Sequence, residues 1–147
     1  MKITDALLAE HVVFHNLFDF AERTLPAIKT LAEVQVLSAL LQSVLRIHTK
    51  VEDHLLIDPL ESTFSQMGQD ETFHEEHQEI EQDLESVATA KRVGEAKRRL
   101  LKAVVLCRKH FDKEERIVFP MAERQFSPKS LLVLGKRWEE QRTVPIW

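Results

Sequence analysis

Cysteine is nearly absent from this 147-residue chain; the lone Cys107 cannot form an internal disulfide, which fits a reducing compartment. It falls on an apolar helical stripe and is expected to be a packing thiol rather than a nucleophile. Tyrosine is missing altogether, and with it a common radical or electron-relay residue. Three glycines and five prolines leave long tracts rich in Leu, Ala, Glu, Lys and Arg, the good helix formers. No window approaches about 18 consecutive apolar residues, so no membrane-spanning helix is expected. The opening MKITDALLAEHVVF carries Asp5, Glu10 and His11 and lacks the apolar core and cleavage site of a signal peptide. Basic excess is missing too: the formal net charge is −4 and no Lys/Arg run is interleaved with aromatics, which argues against nucleic acid. These absences lead us to expect a soluble, cytoplasmic, all-α protein with one core and neither a membrane nor a nucleic-acid partner.

What the chain does have is histidine: seven residues, in clusters. In CRKHFDKEERIVFPMAE, from Cys107 to Glu123, His110 and Glu114 stand four residues apart. That spacing points both side chains from one face of a helix. The same face carries Leu100, Val104, Cys107, Phe111 and Val118, the stripe of a helix packed on others. A polar group buried without a partner costs about 2–7 kcal/mol, so the pair is expected to be hydrogen-bonded, ion-paired or bound to a metal.

The punctuation divides the chain into four long helices and a shorter fifth. The first runs from about Thr4 to Arg23, stopped by Pro26, with Leu7, His11, Phe14, Phe18 and Ala21 inward and His15 on the flank. A second is expected from Thr30, where Thr30 and Glu33 have capping-box spacing, to Asp58, with Pro59 as its stop. Its stripe is Leu37, Leu41, Val44, Leu45, His48, Val51, Glu52 and Leu55, and His54 reads as a surface residue. Leu60 to Gln69 reads as a connection, and Asp70 can cap a third helix that turns Phe73, His77, Ile80, Leu84 and Val87 inward, with His74 beside the stripe. After a basic, Gly-interrupted break at Lys91–Glu95, the fourth helix runs to about Arg124; Pro120, like Pro59, reads as a helix-ending residue. Ser127-Pro128 starts a fifth helix to about Arg142 with Leu131, Leu132, Leu134 and Trp138, expected against the outside of the bundle. This divides the chain into a bundle, 1–126, and a C-terminal helix with its tail, 127–147.

The ligand pattern repeats. Glu10-His11 answers Glu76-His77, while His48, Glu52, Asp53 and Pro59 answer His110, Glu114, Glu115 and Pro120. Each half is a helical hairpin offering one His from its first helix and His-x-x-x-Glu from its second. Short loops imply an up-down-up-down four-helix bundle, in which His11, His48, His77, His110, Glu52 and Glu114 meet on one axis. Six such ligands exceed what a single zinc ordinarily takes, so a dinuclear site of redox metals with room for a small diatomic or oxo ligand is the economical reading. A ferritin-like di-iron bundle would need Glu-x-x-His twice, and Glu71-x-x-His74 is its only match.

AEH at Ala9–His11, HTKVED at His48–Asp53, EEH at Glu75–His77 and HFDKEERIVFPMAE at His110–Glu123 together resemble the hemerythrin-like (HHE cation-binding) domain family, over about Asp5 to Arg124. The last motif, His-x-x-x-Glu-Glu leading into Ile-Val-Phe-Pro, is the most specific of the four. The resemblance implies a non-haem di-iron centre, oxo- or hydroxo-bridged, with His11, His48, His77 and His110 as terminal ligands and Glu52 and Glu114 as bridging or capping carboxylates. Other divalent metals would also suit these ligands. Oxygen-carrying members resemble a five-histidine site with His-x-x-x-His on the third helix and His-x-x-x-x-Asp on the fourth. This chain offers His74 and His77 at a spacing of three, and Glu114 with Glu115. His15 and His74 are the candidates for a fifth imidazole, and helical phase favours neither.

Three roles follow as expectations. The first is a di-iron protein that binds or senses oxygen, nitric oxide or iron itself. A second is an oxidoreductase acting on peroxide or ferrous iron; the missing tyrosine favours binding. The third is a scaffold, with a homodimer through the fifth helix as one form. Whether the chain is an enzyme is left open by the residues alone.

Overall fold

A computed structural model describes residues 1–68 and 72–142. The expected cap Asp70, the Glu71 of the Glu-x-x-His match and the tail with Trp147 lie outside the described residues. Among those described, every regular element is helical. In chain order they are α1 (Ile3–Thr24), α2 (Leu31–Glu52), α3 (Asp58–Gln66), α4 (Thr72–Ala88), α5 (Val93–Lys113), α6 (Phe119–Gln125) and α7 (Pro128–Arg142). No helix among them is long and apolar enough to cross a membrane.

Local signals set most boundaries. Thr30 and Glu33 form the expected capping box, the Glu33 amide donating to Thr30 Oγ1 at 3.3 Å and the Thr30 amide to Glu33 Oε2 at 3.1 Å. Ser127 accepts the Ser130 amide at 3.1 Å just before Pro128 opens α7. Pro59 and Pro120, expected to end helices, do not. Each follows a single π turn, Asp53–Ile57 before α3 and Glu114–Val118 before α6, and the chain stays helical beyond it. The amide preceding each proline donates to the carbonyl five residues back, Asp58 to Asp53 and Phe119 to Glu114. The extra residue relieves the clash between the proline ring and the preceding turn, and the missing N–H falls where a new helix begins and none is needed. The expected connection at Leu60 to Gln69 is therefore helical as far as Gln66. It buries Leu60 and Phe64, each of which contributes about 1.5–3 kcal/mol by leaving water.

The helices pack as an up-down-up-down ring, α1 on α2 and α5, and α4 on α2 and α5. His11 near the start of α1 lies 5.1 Å, ring to ring, from His48 at the end of α2, as antiparallel neighbours require. His77 near the start of α4 stands 4.4 Å from His110 at the end of α5. Two apolar clusters fill the interior. One, at the end closed by the α1–α2 and α4–α5 loops, holds Phe14, Phe18, Leu41, Leu84, Leu100 and Phe111. The other, under α3, α6 and α7, holds Leu7, Leu55, Phe64, Phe73, Val118 and Leu131. Cys107 is buried in the first, where loss of water pushes its thiol up to about 12, as suits a packing group.

Two details depart from the expected stripes. On α2 Leu37 and Val44 pack against the first cluster but stay partly exposed, and Ser38 is buried beside them, its hydroxyl donating to the Leu84 carbonyl at 3.2 Å. Helix α7 does lie outside the ring, against α1, but it is integral to the packing: Leu131 is buried, and Trp138 rests on the second cluster. Gly135 permits this contact, since a Cβ there would strike the Met1 carbonyl oxygen and come within 3.0 Å of the Lys2 backbone.

Candidate metal centre

Between the two apolar clusters lies one polar layer. His11 is one turn from Leu7 and from Phe14, His48 is between Leu45 and Val51, His77 is between Phe73 and Ile80, and His110 is between Cys107 and Glu114. Helical phase therefore delivers four imidazoles and two carboxylates to one level of the bundle. All six residues read from the sequence, His11, His48, Glu52, His77, His110 and Glu114, are buried there.

The geometry has an internal two-fold character. Each hairpin supplies a histidine pair, His11 with His48 and His77 with His110, and the carboxylates lie between the pairs. Glu114 Oε1 is 2.6 Å from His110 Nε2 and 3.4 Å from His77 Nε2, while its Oε2 is 3.4 Å from His11 Nε2 in the other hairpin. Glu52 Oε2 is 3.6 Å from both His48 Nε2 and His77 Nε2, again one from each hairpin. Two ligand groups result, Glu52, His77, His110 and Glu114 in one and His11, His48 and Glu52 in the other. Each carboxylate thus faces both hairpins.

Every Nε2 faces the centre because every Nδ1 is held from behind by a carboxylate. Nδ1 of His11 bonds Glu115 at 2.9 Å, that of His48 bonds Glu10 at 2.7 Å, that of His77 bonds Asp53 at 2.9 Å and that of His110 bonds Glu76 at 2.6 Å. Such partners set tautomer and ring orientation and raise ligand basicity. The supporting carboxylates are the residues just before His11 and His77 and just after Glu52 and Glu114. Their repeat was visible in the sequence, but their role was not, since on a helical wheel they fall beside the stripe. Two carry a further cation: Arg142 of α7 donates to Glu10 at 2.7 Å, and Lys113 donates to Glu76 at 2.7 Å. Phe111 stacks on His11 with ring centroids 3.9 Å apart.

Charge in this layer is unbalanced. Burial and the neighbouring His48 push His11 down to about 3, leaving it neutral with its Nδ1–H on Glu115. Burial opposes charge on His77, but Asp53, Glu114 and Glu52 outweigh it and hold the ring up at about 12. Burial likewise opposes charge on His110, while Glu114 and Glu76 bring it to about 9. Glu114, despite burial, is held well below the usual carboxylate range by His110 and His77; burial and the facing Glu114 raise Glu52. Even so, Nε2 of His11, His48 and His110 and both oxygens of Glu52 and of Glu114 make no well-aligned hydrogen bond, the 2.6 Å approach of Glu114 Oε1 to His110 Nε2 included. Seven buried polar atoms aimed at one spot are far more than a native core ordinarily leaves unpaired. A donor set of imidazole nitrogens and carboxylate oxygens fits first-row metal ions, whose coordination would satisfy these atoms.

The two further candidates lie outside the six. His15 faces Arg108, 3.1 Å from its guanidinium, and packs edge-on against Phe111. His74 lies at the surface between Asp53, 3.2 Å away, and Asp58, 3.3 Å away. His54 is exposed.

Compared with known protein families, the chain matches the Hemerythrin HHE cation binding domain over residues 2–122, with a second match over 68–142 that spans the second hairpin and α7. No curated protein and no solved structure matches the chain. The first match covers most of the 147 residues and includes all six inward histidines and glutamates. Its cation-binding description agrees with what the orphaned atoms require. The chain belongs to the hemerythrin HHE cation-binding domain family.

Proposed function

We propose that the chain holds two iron ions in this layer and presents them to a small ligand, oxygen or nitric oxide, as a binding or sensing protein. The observation that carries this reading is the set of seven nitrogen and oxygen atoms without an aligned hydrogen bond, from His11, His48, His110 and the two carboxylates Glu52 and Glu114 that face both hairpins. Imidazole and carboxylate together suit iron, and six side chains leave two ions short of the octahedral coordination such metals accept. A bound pair of iron ions supplies open coordination positions and redox capacity. The protein's own groups do the rest: Glu10, Asp53, Glu76 and Glu115 orient the imidazoles, and the apolar clusters on either side keep bulk water out.

Binding is favoured over oxidation chemistry because the chain contains no tyrosine to relay an electron. The test is metal content and the absorption spectrum of the purified protein, followed by azide addition. Two irons per chain, with charge-transfer bands that azide shifts reversibly, are expected. Steady peroxide consumption by the loaded protein, lost in His110→Ala, would replace this reading with the oxidoreductase. Absence of metal after anaerobic reconstitution with ferrous iron would leave a packing bundle.

A further inference from the structure

A helix at the surface of a globular protein turns one apolar stripe to the core and a polar side to water. The first hairpin has a second apolar stripe, on its outside. Val13, Leu17 and Phe20 on α1 and Val36, Leu40 and Ile47 on α2 follow one another at steps of three, four and seven residues along the seam between the two helices. Phe20 is 51% exposed, Leu40 59% and Val36 69%. These side chains wall two shallow grooves, one of about 270 Å³ toward the polar layer and one of about 410 Å³ toward the α1–α2 loop. The groove walls carry charge only at the two ends of the strip: Glu33 at one, and Glu10 with Arg142, paired at 2.7 Å, at the other.

The internal repeat shows that the fold does not need this strip. Aligned on His11 with His77 and on His48 with His110, Val13 answers Glu79, Leu17 answers Asp83 and Phe20 answers Ser86. Val36, Leu40 and Ile47 answer Arg98, Lys102 and Lys109. The second hairpin thus closes the same seam with polar groups, Lys102 donating to Asp83 at 2.9 Å where the first hairpin has Leu40 and Leu17. A contiguous apolar patch of a few hundred Å² left in water marks an interaction surface. Helix α7, where the sequence suggests a homodimer contact, offers less: Leu131 is buried, Trp138 rests on the second cluster, and its exposed large apolar residues are Leu132 and Val133.

The strip matches a second copy of itself. Its midpoint falls at Asn16–Leu17 on α1, halfway between Val13 and Phe20, and at Leu41–Gln42 on α2, halfway between Val36 and Ile47. The bond between His48 and Glu10 sets the two helices in register. Each midpoint lies six to seven residues, or about 10 Å, from that bond, so both stand at one level of the hairpin. A two-fold axis lying in the surface at that level lays α1 on α1 and α2 on α2, antiparallel. Val13 of one copy then meets Phe20 of the other, Val36 meets Ile47, and Leu40 of each copy lies beside the axis, which is the isologous arrangement of a closed dimer. From Ala32 to Ile47 the strip is about 22 Å long, and two helices are about 20 Å across. Pairing two such faces hides on the order of 1,000 Å², the lower bound for a specific interface and well below an obligate one. A strip uncharged along its length calls for an equally uncharged partner, and the chain itself supplies one.

We propose that the outer face of α1 and α2 is the interface of a homodimer, formed by antiparallel packing of this strip on its copy. The modest area makes the association reversible on dilution. It stands apart from the metal reading, because the strip contains no residue of the polar layer.

Leu40→Lys and Phe20→Ser each install, at an exposed position, the residue that the other hairpin carries there. Sedimentation velocity of the full chain over a dilution series is expected to show a monomer–dimer equilibrium for wild type. Each variant should weaken it about tenfold or more, while Leu132→Lys on α7 leaves it unchanged. Melting temperature at high dilution and metal content should match wild type in all three, which separates a lost interface from a lost fold. Register is read by mixing Val36→Cys with Ile47→Cys under mild oxidation, with Cys107 buried and out of reach. A disulfide-linked dimer is expected from the mixture and from neither variant alone. A wild type that is monomeric at every concentration, a dimer that survives both α1–α2 variants, or one dispersed by Leu132→Lys instead, overturns the proposal. So does cross-linking of either cysteine variant to itself with none in the mixture.

Discussion

At the scale of single residues, the layer is a compromise between stability and binding. Removing a carboxylate from water without a full set of partners costs several kcal/mol. Glu52, with both oxygens unpaired and raised by its burial and by Glu114, is where that cost is concentrated. Glu52→Leu is therefore expected to melt higher than wild type when both are metal-free, yet to fall short of two metals per chain. Calorimetry with and without metal, beside metal analysis, checks both halves; a variant that keeps full metal would show that Glu52 is no ligand. The supporting carboxylates behave differently, because they orient rather than ligate. Glu76→Gln removes the charge behind His110 but leaves an oxygen to accept its N–H, and is expected to lower metal affinity about 10–100-fold with little change in fold. Competition against a chelator of known affinity measures it. The positions of Glu10, Asp53, Glu76 and Glu115 were legible as a repeat, but their function depends on a neighbouring helix, which no single-helix wheel contains.

At the scale of elements, the two π turns carry the chain from α2 and from α5 past a proline. His-x-x-x-Glu ends α2 and spans the end of α5, and the extra residue that follows keeps Leu55, Leu56 and Val118 turned into the second cluster. Pro59 read as a stop because a proline inside an α-helix clashes with the turn before it; a local π turn removes that clash, and its hydrogen-bond pattern is invisible in composition. Helix α7 depends on a close approach rather than on ligands. Gly135→Ala would drive a methyl group into the Met1 carbonyl and is expected to destabilise the protein by about 1–3 kcal/mol. A melting curve lowered by several degrees checks this. Since Arg142 at the end of α7 holds Glu10, and Glu10 holds His48, the same variant should weaken metal binding more than Leu132→Ala on the exposed side of that helix.

At the scale of the whole molecule, the polar layer splits what would be one apolar core into two. Metal binding is then linked to folding, because ions that bind only the assembled layer stabilise it by mass action. With free metal at about a hundred times the dissociation constant, the holo form gains about 2.7 kcal/mol over the apo form. Differential scanning calorimetry at several metal concentrations should show a melting temperature that climbs with metal. Equal melting of apo and holo protein would place the metal away from the core.

Sequence by itself determined the number of long helices, most of their inward stripes and the histidines and glutamates on them, because each follows from spacing along one chain: four residues between His110 and Glu114, four between His48 and Glu52. It also carried the motifs by which the family is recognised. Tertiary structure alone decided which Nδ1 meets which carboxylate, that His15 turns to Arg108 and His74 to the surface, and that Glu52 and Glu114 each face the opposite hairpin. Those outcomes depend on the rotation and height of one helix against another. That relation is fixed by packing between residues distant in sequence, and periodicity within a helix holds no record of it.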